Sequence, residues 1–190
     1  MKRIPVVPTV IVLMAVAIMI GLGVWQLQRK SLKESLLARY AAAGQDQTAQ
    51  RWPSANGEPL SFSRVVTRCT GNGAVSAKSG RNAKGEPGIA HVAECRTASG
   101  LSARVVLGWS RSPEPAQWPG GEVAGVLLAQ PKGKFDIIAD PPLAGLEANA
   151  RPDPADIPNN HLAYAVQWFL FAGVALVIYA LALRKRMRAG

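Results

Sequence analysis

Two stretches of this sequence carry no charged side chain, and they constrain the chain more than any other feature. Ile4 to Gln28 is a run of 25 uncharged residues, and Leu162 to Leu183 is a run of 22. A hydrocarbon core about 30 Å thick is crossed by roughly 20 apolar helical residues. Both runs reach that length and nothing between them does. The sequence therefore predicts transmembrane helices over 4–28 and 161–183. Residues 1–3 and a basic tail over 184–190 flank them, and 29–160 forms one domain outside the membrane. A cleaved signal peptide is the alternative for the first run, with Lys2 and Arg3 as its basic region. Its apolar stretch exceeds the roughly 7–15 residues of such a segment, and the nearest small-x-small site, Ala41 to Ala43, lies across a charged stretch. Pro5 and Pro8 fall in the first turns of the first helix, where a missing N–H is tolerated.

The net charge of +10 invites a nucleic-acid partner, and its distribution argues against one. All 12 acidic residues and 16 of the 22 basic ones lie from Arg29 to His161, leaving +4 there. The rest of the surplus sits on Lys2, Arg3, Arg184, Lys185, Arg186 and Arg188. Basic flanks of membrane spans stay cytoplasmic. Both tails are therefore expected in the cytoplasm and the central domain outside, periplasmic in a bacterial inner membrane. Arg29, Lys30, Lys33 and Arg39 point the opposite way for the first span alone; the basic cluster after the second span decides the orientation.

The exported segment holds the only two cysteines, Cys69 and Cys95. Two cysteines in an oxidising compartment usually pair, and closing a loop of about 25 residues stabilises a domain by roughly 3 kcal/mol. Their spacing is not CxxC, CxxCH or a zinc knuckle. A structural disulfide is the leading reading, with a redox or metal role, or free thiols, as the alternatives.

Helical spacing continues past the first span through Leu32, Leu36, Leu37 and Tyr40, and Gly44 ends it. The competing pattern is a break with Ser31 capping a new helix and Glu34 closing the capping box. Residues 45–60 read as a connection. Short β-type runs follow at Ser61–Cys69, Ala74–Ser79, Gly88–Thr97, Leu101–Ser110, Glu122–Gln130 and Lys134–Ala139, separated by Gly-, Pro- and Asn-rich turns. Short strands without intervening helices predict an antiparallel sheet closed into a barrel or sandwich. Pro141–Pro158 reads as an extended return path.

No nucleotide-binding loop, HExxH, GxSxG or paired-carboxylate cluster is present, so an enzymatic reading is not favoured. Two stretches at the outer mouths of the spans stand out: Gly23 to Arg29, and Asn159 to Phe169. Trp25, Tyr164 and Trp168 suit an aromatic interfacial belt. His161 begins the second apolar run, and a 3.6-residue repeat sets Tyr164, Ala165, Trp168 and Ala172 on its face. An imidazole above aromatic and small residues is a place for a flat, metal-bearing ring, with the histidine as axial ligand. The plainer alternative is a histidine at the interface, or one capping the helix after Asn159-Asn160. His91 reads as an ordinary strand residue.

These motifs resemble the surfeit locus protein 1, or Shy1-type, family. The resemblance rests on Gly23, Trp25, Gln26, Arg29 and Lys33, on Gly108-Trp109 after a β run, and on Asn159 to Phe169. Val106-Leu107 departs from the Asn-Arg that usually precedes Gly108. The resemblance implies a non-catalytic factor for assembly of haem-copper cytochrome oxidase. In bacterial members it implies binding of haem a, which carries onto His161 as ligand. The expectation is a membrane chaperone that holds haem a transiently and passes it to subunit I, among other assembly factors and membrane lipid. His161 would ligate iron, Trp25, Tyr164 and Trp168 would wall the ring, and Arg29 would pair with a propionate. The alternatives are a membrane-anchored interaction protein that binds no cofactor, and a thiol oxidoreductase using Cys69 and Cys95.

Overall fold

A computed structural model describes residues 5–54, 57, 59–97 and 99–188. Lys2, Arg3 and the first residue of the expected 4–28 span lie outside the described residues, as do the last two of the 184–190 tail. The chain divides into two compact units, 1–36 with 158–190, and 37–157.

The first unit is a pair of helices. Helix α1 spans Val6–Gln45 and α2 spans His161–Arg188. Both are long and apolar enough to cross a membrane, with only 11% and 6% of their most apolar windows buried. A helix that is apolar all round yet exposes most of that surface needs lipid around it. The break considered at Ser31 does not occur: α1 runs unbroken through it, supported by a Lys30–Glu34 ion pair of 2.7 Å one turn apart. It ends one residue past Gly44. Helix α2 starts at His161 and continues through the basic cluster, five residues beyond Leu183.

The second unit is a β-barrel. Its strands are β1 (Gln50–Arg51), β2 (Arg64–Arg81), β3 (Pro87–Thr97), β4 (Ser102–Ser110), β5 (Gly120–Gln130) and β6 (Lys134–Ala139). The strand order is β1-β2-β3-β4-β6-β5, and β5 pairs back onto β2 to close the ring. Three consecutive antiparallel strands with a fourth returning beside the first make a Greek key, and β6 fills the gap between β5 and β4. This five-stranded Greek-key barrel has the architecture of the OB-fold. That architecture hosts unrelated functions and by itself assigns none.

Two expectations are corrected here. The sheet is mixed: β4–β6 and the short β1–β2 pairing are parallel. The runs expected at 61–69 and 74–79 form one strand. Gly71-Asn72-Gly73 reads as a turn, but in place of a turn the register shifts between Gly71 and Val75, and β2 continues. An irregularity of this kind bends a strand without ending it, which suits a strand paired with β5 over 64–70 and with β3 over 69–81. Ser61–Ser63 precedes the strand as a turn, with Phe62 at φ 73°.

Period-two patterning builds the core. In β4, Ala103, Val105 and Leu107 point inward, against Val123 and Leu127 of β5, Ile137 of β6, and Trp52 and Trp118 from the connections. Leu107, at the position where the resembled family carries arginine, is fully buried. Cys69 and Cys95 form a disulfide with a Cα–Cα distance of 5.1 Å, inside this core. Arg104 and Asp136 face each other across the parallel β4–β6 pair. Nε donates to Oδ1 at 2.7 Å and Nη2 to Oδ2 at 2.8 Å. The Asp136 carboxylate, by hydrogen bond and charge, holds the guanidinium above its ordinary pKa.

Trp109 explains the Gly108-Trp109 motif. It is 1% exposed, and its ring lies where a Cβ on Gly88 would be. A Cβ on Gly108 would strike Leu146 and the carbonyl of Glu147, whose backbone exchanges hydrogen bonds of 2.8 and 3.0 Å with Trp109. Gly88→Ala is expected to overpack this contact and cost about 1–3 kcal/mol. Thermal unfolding of the full chain in detergent, followed by tryptophan fluorescence, measures it.

Candidate functional site

Hydrogen bonds and spacing together define the helix pair. Along α1 the less exposed positions recur as Thr9, Val12, Val16, Met19, Gly23, Gln26 and Lys30; along α2 they recur as His161, Ala165, Trp168, Ala172, Ala175 and Tyr179. Alternating steps of three and four make an a/d seam, the pattern of helices packed as a left-handed pair. The seam is antiparallel: Gln26 meets His161 at one end and Thr9 meets Tyr179 at the other.

At the Thr9 end, the threonine hydroxyl donates to the Pro5 carbonyl at 2.7 Å. Its one proton is thus used, and the Tyr179 hydroxyl is the donor to Thr9 Oγ1. Seventeen residues of α1 separate Thr9 from Gln26, a rise of about 25 Å. The two polar contacts therefore lie near opposite faces of a hydrocarbon layer about 30 Å thick. Between them, Ala165 is fully buried and Gly23 admits the ring of Phe169; a Cβ on Gly23 would lie 2.6–2.9 Å from three ring carbons. Small residues let helix backbones approach where lipid gives no apolar driving force.

At the other end of the seam, His161 Nδ1 lies 2.8 Å from Gln26 Oε1. The carbonyl of Asn160 accepts from the Tyr164 N–H at 3.2 Å and so opens α2. Trp25 is adjacent to Gln26 in sequence, 47% exposed, and carries the Arg29 guanidinium over its ring at 5.5 Å. Among the described residues Arg29 forms no ion pair, so its charge remains available to an anionic group. Trp168 lies two turns along α2 on the His161 side, edge-on to Phe171 at 6.2 Å. Tyr164, expected on the His161 face, does not share that seam: the seam steps four residues from His161 to Ala165, which leaves Tyr164 52% exposed and turned outward. The Asn159 side-chain oxygen is buried and has no hydrogen-bond partner among the described residues.

The 3.6-residue repeat sets His161 and Trp168 on one face of α2, as in the structure, but does not disclose what faces them. Gln26 was part of a motif without a role, and Thr9 and Tyr179 were not singled out. Reading the seven-residue spacing from Thr9 through Val16 and Gly23 was the signal that would have found the seam.

The barrel unit offers less. One cleft of about 540 Å³ includes Arg39, Asp46 and Arg64, and another of about 430 Å³ includes Arg51, Arg68 and Glu122. No group of three or more potential metal ligands occurs among the described residues. Cys69 and Cys95 are 3% and 1% exposed, so their sulfurs are shielded from an attacking thiolate in this conformation. His91, 1% exposed on β3, holds Ser110 Oγ at 2.8 Å.

Gln26→Cys paired with His161→Cys is expected to be joined by a short thiol-reactive cross-linker in membranes. Moving the first cysteine one turn, to Leu22 or Lys30, should abolish the product; gel mobility reads it directly.

The chain matches the SURF1 family over residues 13–173. No individually curated protein matches it. The matched stretch includes Gly23 to Arg29, Asn159 to Phe169 and the whole barrel.

Proposed function

The chain belongs to the SURF1 family, which assigns it a role in assembly of cytochrome c oxidase, and from that premise we propose that its helix pair binds haem a and delivers it to subunit I. The observation that carries this reading is His161 at the outer mouth, its Nδ1 already engaged by Gln26 and its other ring nitrogen uncommitted among the described residues. Imidazole is a common axial ligand of haem iron. Trp25 and Trp168 supply apolar ring surface on either helix, and Tyr164 extends that surface outward. Arg29 supplies a cation for a propionate at the headgroup level. Bound haem a contributes the iron that His161 would ligate and an apolar macrocycle that must be kept from water. One neutral nitrogen ligand and partly open walls suit a cargo that has to leave.

The same reading sets the protein in a bacterial inner membrane, with both basic ends cytoplasmic and the barrel periplasmic. The basic last turn of α2 supports that orientation, and the disulfide supports an oxidising compartment for the barrel. A membrane-anchored interaction protein without cofactor is the second reading, favoured by the charged clefts of the barrel, which offer surface for a protein contact.

Protein purified from cells that make haem a is expected to carry a co-eluting Soret band. His161→Ala should reduce or shift that band while the chain remains inserted, and His91→Gln, in the barrel, should leave it unchanged. A wild-type spectrum in His161→Ala removes the ligand assignment and favours the interaction reading. A reporter fused after Gly190 should be active only on the cytoplasmic side.

A further inference from the structure

The geometry points to Gln26 as the residue that fixes the tautomer of His161, holding the proton on Nδ1 so that Nε2 presents a lone pair to a metal; the ligand role rests on the haem reading above. An amide oxygen can only accept a hydrogen bond. The 2.8 Å contact from His161 Nδ1 to Gln26 Oε1 therefore requires the proton on Nδ1. A neutral imidazole has a single ring proton, so Nε2 is left bare. Without Gln26 the proton is free to sit on either nitrogen, and the Nε2–H form cannot ligate through that atom. Ligating histidines are oriented in this way by acceptors on their second nitrogen, and loss of such an acceptor costs about 10–100-fold in metal affinity.

The choice of an amide matters. A carboxylate at this position would draw the Nδ1 proton harder and make Nε2 a stronger donor. A neutral acceptor orients the ring and leaves the iron bond weaker, as transfer of a cargo requires. Gln26 also lies on the α1 seam one turn beyond Gly23, whose missing side chain admits the Phe169 ring of α2. Gln26 is thus a positioning residue, acting on the haem only through His161.

The chain's other histidine supplies an internal contrast. The Ser110 hydroxyl donates to the Ser112 carbonyl at 2.7 Å, so its oxygen must accept from His91 Nε2 at 2.8 Å. His91 is therefore the Nε2–H tautomer, and its buried Nδ1 has no partner among the described residues. The two imidazoles carry their protons on opposite nitrogens.

The test is nitrogen NMR on the full-length, haem-free chain, labelled with ¹⁵N-histidine, in detergent at a pH of about 8, above the unperturbed imidazole range. Wild type should give one Nδ1–H and one Nε2–H pattern, and His161→Ala should remove the first. Gln26→Leu should convert the His161 pattern to Nε2–H or to a mixture, with His91 unchanged. Gln26→Glu should retain Nδ1–H. Titrated with haem a, Gln26→Leu should bind about 10–100-fold more weakly than wild type. Gln26→Glu should bind at least as tightly, with a lower midpoint potential. A wild-type His161 in the Nε2–H form, or a Gln26→Leu variant with unchanged tautomer, overturns the inference whatever the haem content. If the tautomer behaves as stated and wild type takes up no haem, the haem-binding reading fails and Gln26 orients the imidazole for some other end.

Discussion

Two apolar helices in lipid gain nothing from the hydrophobic effect by touching, since the surrounding chains are as apolar as they are. Their association and register depend on contacts that lipid cannot supply. In this protein those are a hydrogen bond at each end of the seam, Tyr179 to Thr9 and His161 to Gln26, with small residues between. The His161 contact uses an imidazole nitrogen. The interaction that sets the register of the pair therefore also holds the orientation of the His161 ring.

The barrel solves a different problem. Five strands of modest length close on themselves because β2 is long enough to pair with β5 along its first half and β3 along its second. Cys69 lies where β2 is flanked on both edges, opposite Thr97 of β3 and Gly121 of β5, and its disulfide to Cys95 ties β2 to β3 at that point. The Arg104–Asp136 fork secures the parallel seam between β4 and β6, which is three residue pairs long. A domain of this size has limited apolar surface to bury, so a covalent tie and a bidentate ion pair between strands carry weight.

Much of this was legible in sequence because it depends on local periodicity. Uncharged runs gave the two helices, alternation gave most strand bounds to within a few residues, and Cys69 with Cys95 suggested a disulfide. The failures share a cause. Gly71-Asn72-Gly73 has turn composition, and only the partners on both edges of β2 carry the strand through it. The 45–60 connection contains a two-residue strand that exists only because β2 offers it an edge. The parallel β4–β6 pair joins segments whose intervening strand, β5, lies on the far side of β6.

The candidate site shows the same division. The sequence by itself determined that the chain has two membrane-length helices, that its middle is β-rich, and that His161 stands where the second helix begins. Each of these follows from the chemistry of neighbouring residues along the chain. Only the tertiary structure decided that Gln26 faces His161, that Tyr164 turns away, and that Trp109 needs glycine at position 88. Those facts link residues up to 135 positions apart. A hydrogen bond or a close packing contact is a property of two surfaces brought together, and neither surface alone encodes its partner.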